Sequence, residues 1–409
     1  RGAEGAASVV DLFSGTSRVG HALKRAGYQV LANDHNSYAA ILARCYVAAD
    51  RERVEANARK LLAEFQALPG DPGWFTENYC KQARFFKPKN GARVDAIREA
   101  IANKQLDPEL EAVVLVSLME AADRVDSTCG LQMAYLKQWA PRADRELELR
   151  LPDILPRAAQ GKSECHQLEA IDAARVLRSD IVYLDPPYNQ HSYLSNYHVW
   201  ESLVLWDKPE VYGTARKRID CRTRKSPLNS KPKFHAALAE IIETVNAKVL
   251  LVSFNNEGYI DRSQMEALLS KRGRVTVLVQ DFKRYVGAQI GIYNPNGERV
   301  GAVSHLRNLE YLYVVETEDL KRPLDLDALV DDNRAMQLSA FSNVGNRARY
   351  KDRDHCGDAQ KMAPPRMTIV CIWSGGCGSA MWTGSSSRIP LACRIRGSSG
   401  ATGFIARIT

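Results

Sequence analysis

In DIVYLDPPYNQHSY, residues 180 to 193, an Asp, two prolines and a Tyr follow an apolar run. Two consecutive prolines remove two backbone donors and forbid helix where a helix would ordinarily follow a strand. The arrangement suits chemistry on an exocyclic aromatic amine. Such an amine is a poor nucleophile, because its lone pair is delocalised into the ring. Two fixed acceptors, the Asp185 carboxylate and the Pro186 carbonyl, can hold both amino hydrogens. They turn the lone pair toward an electrophile and stabilise the positive charge that develops on nitrogen. Pro186 and Pro187 fix the carbonyl direction, and Tyr188 is spaced to stack on a base that has left its helix. Asp185 follows IVYL, so its carboxylate emerges at the carboxyl end of a sheet, the edge where ligands bind in open α/β folds. The competing reading is a structural turn at a strand end.

A second candidate is DLFSGTSRVG, residues 11–20. A strand runs into a tight turn at Gly15, and the helix after it presents free N–H groups. Asp34 closes the next strand 19 residues later, where a ribose-binding acid sits in nucleotide-binding folds. The GxGxxG pattern is broken by Ser17 at the second glycine position, which a pyrophosphate would need for close approach. A ligand without phosphates, such as S-adenosylmethionine, fits better. The alternative is a Gly-containing turn with a capping Ser or Thr.

These motifs, with LMEAADRVDSTCGLQMAYLKQW at 118–139 and LLVSFNNEGYI at 250–260, make residues 8–316 resemble the adenine-specific DNA methyltransferases of the Dam-like DPPY class. Within that class the chain is similar to the FokI-type modification methylases. The resemblance implies a Rossmann-like α/β sheet that uses S-adenosylmethionine, with a mostly helical insert that recognises the target between the second and third strands. By carry-over, Asp11, Phe13, Ser14, Gly15, Thr16, Asp34, Glu169 and Asp185 are the cofactor residues. Phe13 and Gly15 line the pocket, Asp34 holds the ribose hydroxyls, and Glu169 ends the third strand beside the adenine of the cofactor. Asp185, Pro186, Pro187 and Tyr188 form the catalytic turn. The implied partners are double-stranded DNA and a cognate restriction endonuclease. The family has a segment before its first strand that helps bind the methionine end of the cofactor. Residues 1–7 hold no match, and the start on Arg rather than Met predicts an incomplete N-terminus.

The pattern of elements agrees. ASVVDLF, a helix ending at Gly27 and YQVLAND form a β-α-β opening. Residues 38–67 read as helix, 69–91 as a Pro/Gly/aromatic-rich loop, and about 92–103 and 109–125 as two further helices. Val94, Ile97 and Ile101 share one face of the first of these. Strands are predicted at 180–185, 248–254, 275–282 and 309–315, with a helix at 234–246 and a hairpin in GIYNPNGERVG. The predicted organisation is a catalytic domain in two parts, 1–49 and 156–330, a helical insert at 50–155, and an atypical, disordered tail at 345–409.

The 409 residues carry a formal net charge of +8. Six basic residues, from Lys361 to Arg407, fall after Asp358 with no acid among them, so global basicity says little about nucleic acid. Local basicity says more. Residues 207–233 hold nine Lys/Arg against three acids, and Arg216, Lys217, Arg218, Arg222, Arg224 and Lys225 are the candidate DNA-phosphate ligands. A solvated basic loop is the bland reading. Base readout is expected from the insert, around Arg84, Lys87 and Lys89. Tyr193, Tyr197, His198 and Trp200 read as a helix packing face, with a base-stacking platform as the alternative.

Other chemistries are excluded. Nine cysteines without a CxxC pair argue against a zinc site and a disulfide framework, and fit a reducing cytoplasm. No metal-ligand spacing is present. No apolar run approaches the ~20 residues of a membrane span. GKS at 161–163 is no P-loop, because Pro156 stands where its first glycine belongs. Without a Pro-Cys pair, the nucleophile of cytosine-C5 methylation is missing. KRYVGAQIG at 283–291 reads as either a functional loop placing Tyr285 near the base or a structural hairpin. The expected activity is methylation of the adenine N6 amine in DNA. The alternatives are cytosine N4 or RNA adenine on the same scaffold, and an inactive nucleic-acid-binding relic.

Overall fold

The computed structural model describes residues 6–283 and, beyond them, 292–293, 299–301, 307–318, 320, 323–324 and 326. The tail at 345–409, residues 1–5 and Tyr285 lie outside the described residues.

The chain opens with β1 (Ser8–Asp11), α1 (Arg18–Arg25), β2 (Gln29–Asn33) and α2 (Ser37–Ala43). The expected continuous helix at 38–67 is interrupted. A π-helical turn at Arg44–Ala48 follows α2, Ala49 is extended, and α3 (Arg51–Ala67) starts afresh. The expected loop at 69–91 is more ordered than its composition suggests. It contains α4 (Trp74–Thr76), a π-helical turn at Glu77–Lys81 and the start of α5 (Pro88–Lys104). The cause is Asp95 on α5, which accepts the N–H groups of Gly73, Phe75 and Thr76 at 2.9, 3.0 and 2.8 Å. With those donors satisfied, Phe75, Tyr79, Phe85 and Phe86 turn inward and are buried. Next comes α6 (Pro108–Asp123), whose residues Ala112–Ala122 are all buried, as expected of a helix apolar on every side. After it lie β3 (Glu164–His166), α7 (Ala170–Val176), β4 (Ile181–Leu184), α8 (Tyr193–Asn196) and α9 (His198–Leu205). A small hairpin, β5 (Val211–Tyr212) with β6 (Lys217–Arg218), leads to α10 (Lys231–Thr244) and β7 (Val249–Asn255). The last elements are α11 (Arg262–Leu269), β8 (Gly273–Lys283), the paired β9 (Ile292–Tyr293) and β10 (Arg299–Gly301), and β11 (Arg307–Thr317).

Seven strands form one sheet in the order β3-β2-β1-β4-β7-β11-β8. The first five run parallel, and β11 is antiparallel to both of its neighbours. This is the doubly wound, Rossmann-like sheet with antiparallel additions at one end. Winding starts at β1 and reverses at β4, so the crevice of a topological switch point opens between their carboxyl ends.

Side-chain alternation explains why both faces are covered. Val10, Leu12, Val182, Leu184, Leu250 and Val252 pack in one cluster with Ala173 of α7, Phe234 and Leu238 of α10, and Met265 of α11. Val9, Val30, Ala32, Ile181, Val249 and Leu312 pack on the other face with Leu23 of α1, Ala43 and Val47. Each buried aliphatic side chain contributes ~1.5–3 kcal/mol. A third cluster joins Phe65, Ile97 and Leu115, from the stretch 50–155, to Tyr38 and Leu42 of α2 and Val199 and Leu203 of α9. That stretch has no strand among its described residues, and it shares its core with α2 and α9.

Candidate active site

The turn after β1 is set by two residues with positive φ, Gly15 at 49° and Ser17 at 60°. Ser14 N–H donates to the Asn33 carbonyl at 2.9 Å, and Gly15 N–H donates to Asp34 Oδ2 at 3.0 Å. The other Asp34 oxygen accepts Asn36 N–H at 2.9 Å. Gly20 lets α1 sit close: its N–H donates to Asp11 Oδ2 at 3.1 Å, and a Cβ there would meet Val47 Cγ2 at 2.9 Å. Asn33 ties β2 to the loop before α7, donating to the Leu12 and Leu168 carbonyls while its oxygen accepts Leu168 N–H. Glu169 does not end the third strand. β3 stops at His166, and Glu169 stands just before α7 without a side-chain capping bond, its carboxylate meeting His35 Nδ1 at 3.1 Å.

One cavity of about 1070 Å³, counting its open mouth, occupies the switch point. Asp11, Phe13, Ser14, Gly15, Thr16, Asp34, Glu169, Asp185 and Pro187 line it together. Every sequence-derived cofactor residue therefore faces one space, and Asp185 shares it with Gly15. Tyr188 does not line it. That side chain packs against the cluster formed by β4, β7 and α10. Sequence reasoning missed several lining residues: Asn33, His35, Tyr38, Ser226 and Asn229. Tyr193 and Tyr197 both line the cavity, and Tyr197 also packs against the helical cluster as expected, 5.6 Å from the Tyr38 ring. His198 and Trp200 are buried as expected. Position i+4 on α8–α9 was the available signal for the two tyrosines, but core and cavity give the same spacing.

The charge of the lining is one-sided. Asp11, Asp34, Glu169 and Asp185 contribute four carboxyls, against Arg18 and His35. Burial pushes Asp11 up to about 7, with Asp34 adding to the rise against the Gly20 N–H. Burial and then the neighbouring Asp11 raise Asp185 well above the usual carboxylate range. Burial likewise raises Asp34, despite its backbone donors. For His35, burial disfavours the cation, but Glu169 and Asp34 outweigh it and the net shift is upward. The His35 hydrogen bond lowers Glu169. Glu310 on β11 stands behind this group and is pushed up to about 9 by burial, then by Asp185 and Glu257. These acids have little compensating positive charge in the cavity, so burial holds several of them toward their neutral form.

The six basic candidates divide. Arg218 is 3% exposed and forks onto Asp207 at 2.7 Å through both terminal nitrogens, with Asp220 Oδ1 3.1 Å from its Nε. It holds the β5–β6 hairpin and cannot also meet a phosphate, which corrects its assignment to DNA. Arg224 donates to buried Glu201 at 3.0 Å, and Glu201 in turn accepts the N–H groups of Ser37 and Tyr38 that start α2. Arg216 donates to Asn78 Oδ1 at 2.6 Å. Arg222 lies 4.1 Å over the Tyr212 ring, Lys217 is half-buried, and Lys225 is exposed.

A doubly wound sheet with this strand order, an acid-lined cavity at its switch point and a DPPY turn on the cavity wall define an amine-directed nucleic-acid methyltransferase. The chain belongs to the D12 class N6 adenine-specific DNA methyltransferases, whose family model matches residues 3–255. It is a DNA adenine-N6 methyltransferase. M.NlaIII, a type II methyltransferase of Neisseria lactamica, is 28% identical over 320 residues, covering 75% of this chain and 90% of that protein. M.FokI of Planomicrobium okeanokoites is 32% identical over 287 residues, 64% of this chain and 43% of that protein. Modification methylase StsI of Streptococcus sanguinis is 28% identical over 385 residues, 90% of this chain and 56% of that protein. The chain thus spans about half the length of the latter two.

Proposed function

We propose that the methyl donor is S-adenosylmethionine, held in the acid-lined cavity, and that the turn from Asp185 to Tyr188 acts on an adenine extruded from double-stranded DNA. The observation that carries this reading is the shared wall. The Gly15 turn, the Asp34 carboxylate and Asp185 border one space whose charge suits a sulfonium and excludes a dinucleotide. When bound, the donor supplies an activated methyl group. Asp34 and Glu169 would hold its hydroxyl and adenine ends, Asp11 and Asp185 would face its positive charge, and Phe13 would pack against it.

The Asp185 carboxylate and Pro186 carbonyl accept the two hydrogens of the target amine. The nitrogen lone pair then turns toward the donor, and charge developing on nitrogen falls beside Asp185. One amine proton passes to Asp185 and on to solvent, with no covalent enzyme intermediate. Tyr188, packed beside the cavity, bounds the base from one side, and Tyr193 or Tyr197 from the other. The helical stretch 50–155 reads the target sequence. Arg222 and Lys225, with Arg216 and Lys217, meet the phosphates, and Arg218 and Arg224 support them. A cognate restriction endonuclease is the further partner of this reading, which the relatives' names as type II methyltransferases and modification methylases support.

The test is nucleoside mass spectrometry after incubation with duplex DNA and methyl-labelled S-adenosylmethionine. Labelled N6-methyladenine is expected. Label in N4-methylcytosine alone, or only with an RNA substrate, would overturn the assignment. Calorimetry with S-adenosylmethionine should give heat of binding; none, with DNA binding intact, would point to an inactive relic.

A further inference from the structure

The block LLVSFNNEGYI, residues 250–260, helps carry the family resemblance, yet none of it lines the cavity. It runs off the end of β7 into a turn fastened to itself and to β11. Asn255 Oδ1 accepts Glu257 N–H at 3.0 Å, Asn256 N–H donates to the Leu309 carbonyl at 3.1 Å, and Asn256 Oδ1 accepts Leu309 N–H at 3.1 Å. Gly258 packs so closely on Phe254 that a Cβ there would meet Phe254 Cε1 at 2.3 Å. Tyr259 follows, its ring 5.5 Å from that of Phe234 on α10. Its hydroxyl donates to the Asn229 carbonyl at 3.3 Å.

Asn229 does line the cavity, on the segment between the β5–β6 hairpin and α10. Its backbone is set by buried Leu228 in the apolar cluster and by its own N–H, which donates to the Ser226 carbonyl at 3.0 Å. Its side-chain amide is spent on the chain just past the DPPY turn. Nδ2 donates to the Asn189 carbonyl at 2.9 Å and to the His191 carbonyl at 3.3 Å. That stretch is closed on itself, because Asn189 Oδ1 accepts His191 N–H at 2.9 Å. A planar amide with two donors fixes such a closed turn in place and in direction, where a single donor would leave it free to pivot. The turn begins one residue after Tyr188. Pro186 and Pro187 stiffen the chain only on the other side of that tyrosine.

We propose that Asn229 is a positioning residue for methyl transfer: its amide holds the chain after Tyr188, so that the Pro186 carbonyl and the Tyr188 ring keep their places at the target amine, and Tyr259 acts through it. This rests on the reading that the DPPY turn acts on an extruded adenine. Asp34 and Glu169, on the donor side of the cavity, are held by Gly15, Asn36 and His35 and not by Asn229. Loss of the amide therefore separates transfer from donor binding.

The test uses the full chain and a duplex carrying its target sequence, mapped as N6-methyladenine in DNA of cells that express it. Asn229→Ala should lower the single-turnover rate of methyl transfer at saturating donor by about 10- to 100-fold, the loss expected when a reacting group is misplaced by about 1 Å. Its calorimetric affinity for S-adenosylmethionine should stay within about threefold of wild type. Tyr259→Phe deletes one hydroxyl and keeps the ring packed, so it should lower the same rate less and leave Tm unchanged. The double variant should be no slower than Asn229→Ala alone, because Tyr259 acts through that residue. A wild-type rate in Asn229→Ala would overturn the proposal, as would fully additive losses in the double variant. A lost donor affinity that accounts for the lost rate would overturn it too, since Asn229 would then hold the donor itself. So would a collapsed Tm in Asn229→Ala beside a wild-type rate in Tyr259→Phe, which would make both residues merely structural. Absence of N6-methyladenine from the mapped DNA would instead refute the reading of the turn on which the proposal rests.

Discussion

Asp185 stands at the end of β4, half-buried, with burial and then Asp11 raising it above the usual carboxylate range. It lies on the wall that a bound cation and a target amine would share. Its two duties differ in size. Toward a cation it is one of four carboxyls, and Asp11, Asp34 and Glu169 remain when it is lost. Toward the amine it is the one acidic acceptor of the DPPY turn, partnered only by the Pro186 carbonyl. Asp185→Ala is therefore expected to abolish methyl transfer in single-turnover assays with labelled donor, while affinity for S-adenosylmethionine stays within about tenfold by calorimetry. A variant with near-normal turnover would remove the carboxylate from the chemistry. Tyr188 is a milder case, because it packs beside the cavity rather than lining it.

At the scale of elements, the β5–β6 hairpin carries two kinds of basic residue. Arg218 is buried between Asp207 and Asp220, and its removal leaves two carboxylates facing each other. Arg218→Ala should destabilise the fold by about 2–3 kcal/mol, below the usual cost of breaking a buried pair because water still reaches both acids. The double variant Arg222→Ala, Lys225→Ala should leave Tm unchanged and flatten the salt dependence of DNA binding by about two units of slope. Denaturant melts and salt titrations separate the two outcomes, and an unchanged slope would move the DNA surface elsewhere. Sequence could not divide these residues, since Asp207 and Asp220 reach Arg218 only once the hairpin has folded. The same limit hid the order of residues 69–91, which depends on Asp95 reaching back across 19 to 22 positions. What sequence did expose was local. The apolar run before Asp185 and the broken glycine pattern around Gly15 each put a motif at a strand end. A parallel sheet then brings those ends to one edge whatever lies between them. Tyr193 and Tyr197 stayed ambiguous because spacing on a short helix does not tell a cavity from a core.

The whole molecule gathers acids where its sheet changes direction, and its helices keep water from them. Asp11 and Glu310 are held up at about 7 and about 9, and Asp185 and Asp34 are also raised. A carboxyl whose folded value exceeds its unfolded one binds more protons in the folded state. Its contribution to stability is complete below the unfolded value and is lost as pH climbs through the folded one. The unliganded protein should therefore lose stability from about pH 4 upward, through about 7 for Asp11 and about 9 for Glu310. A bound sulfonium reverses the preference, because a cation beside the cluster favours the ionised acids. Binding of S-adenosylmethionine should then release protons, and its affinity should rise with pH through about 7, as Asp11 ionises. S-adenosylhomocysteine has the same shape without the sulfonium charge and should release fewer protons. Calorimetry of both ligands at pH 6, in buffers of differing ionisation enthalpy, measures the difference directly. Asp11→Asn, which keeps an acceptor for the Gly20 N–H, should reduce it. Equal proton release by the two ligands would mean that the acids do not face the sulfonium, and the cavity would then need another account of its charge.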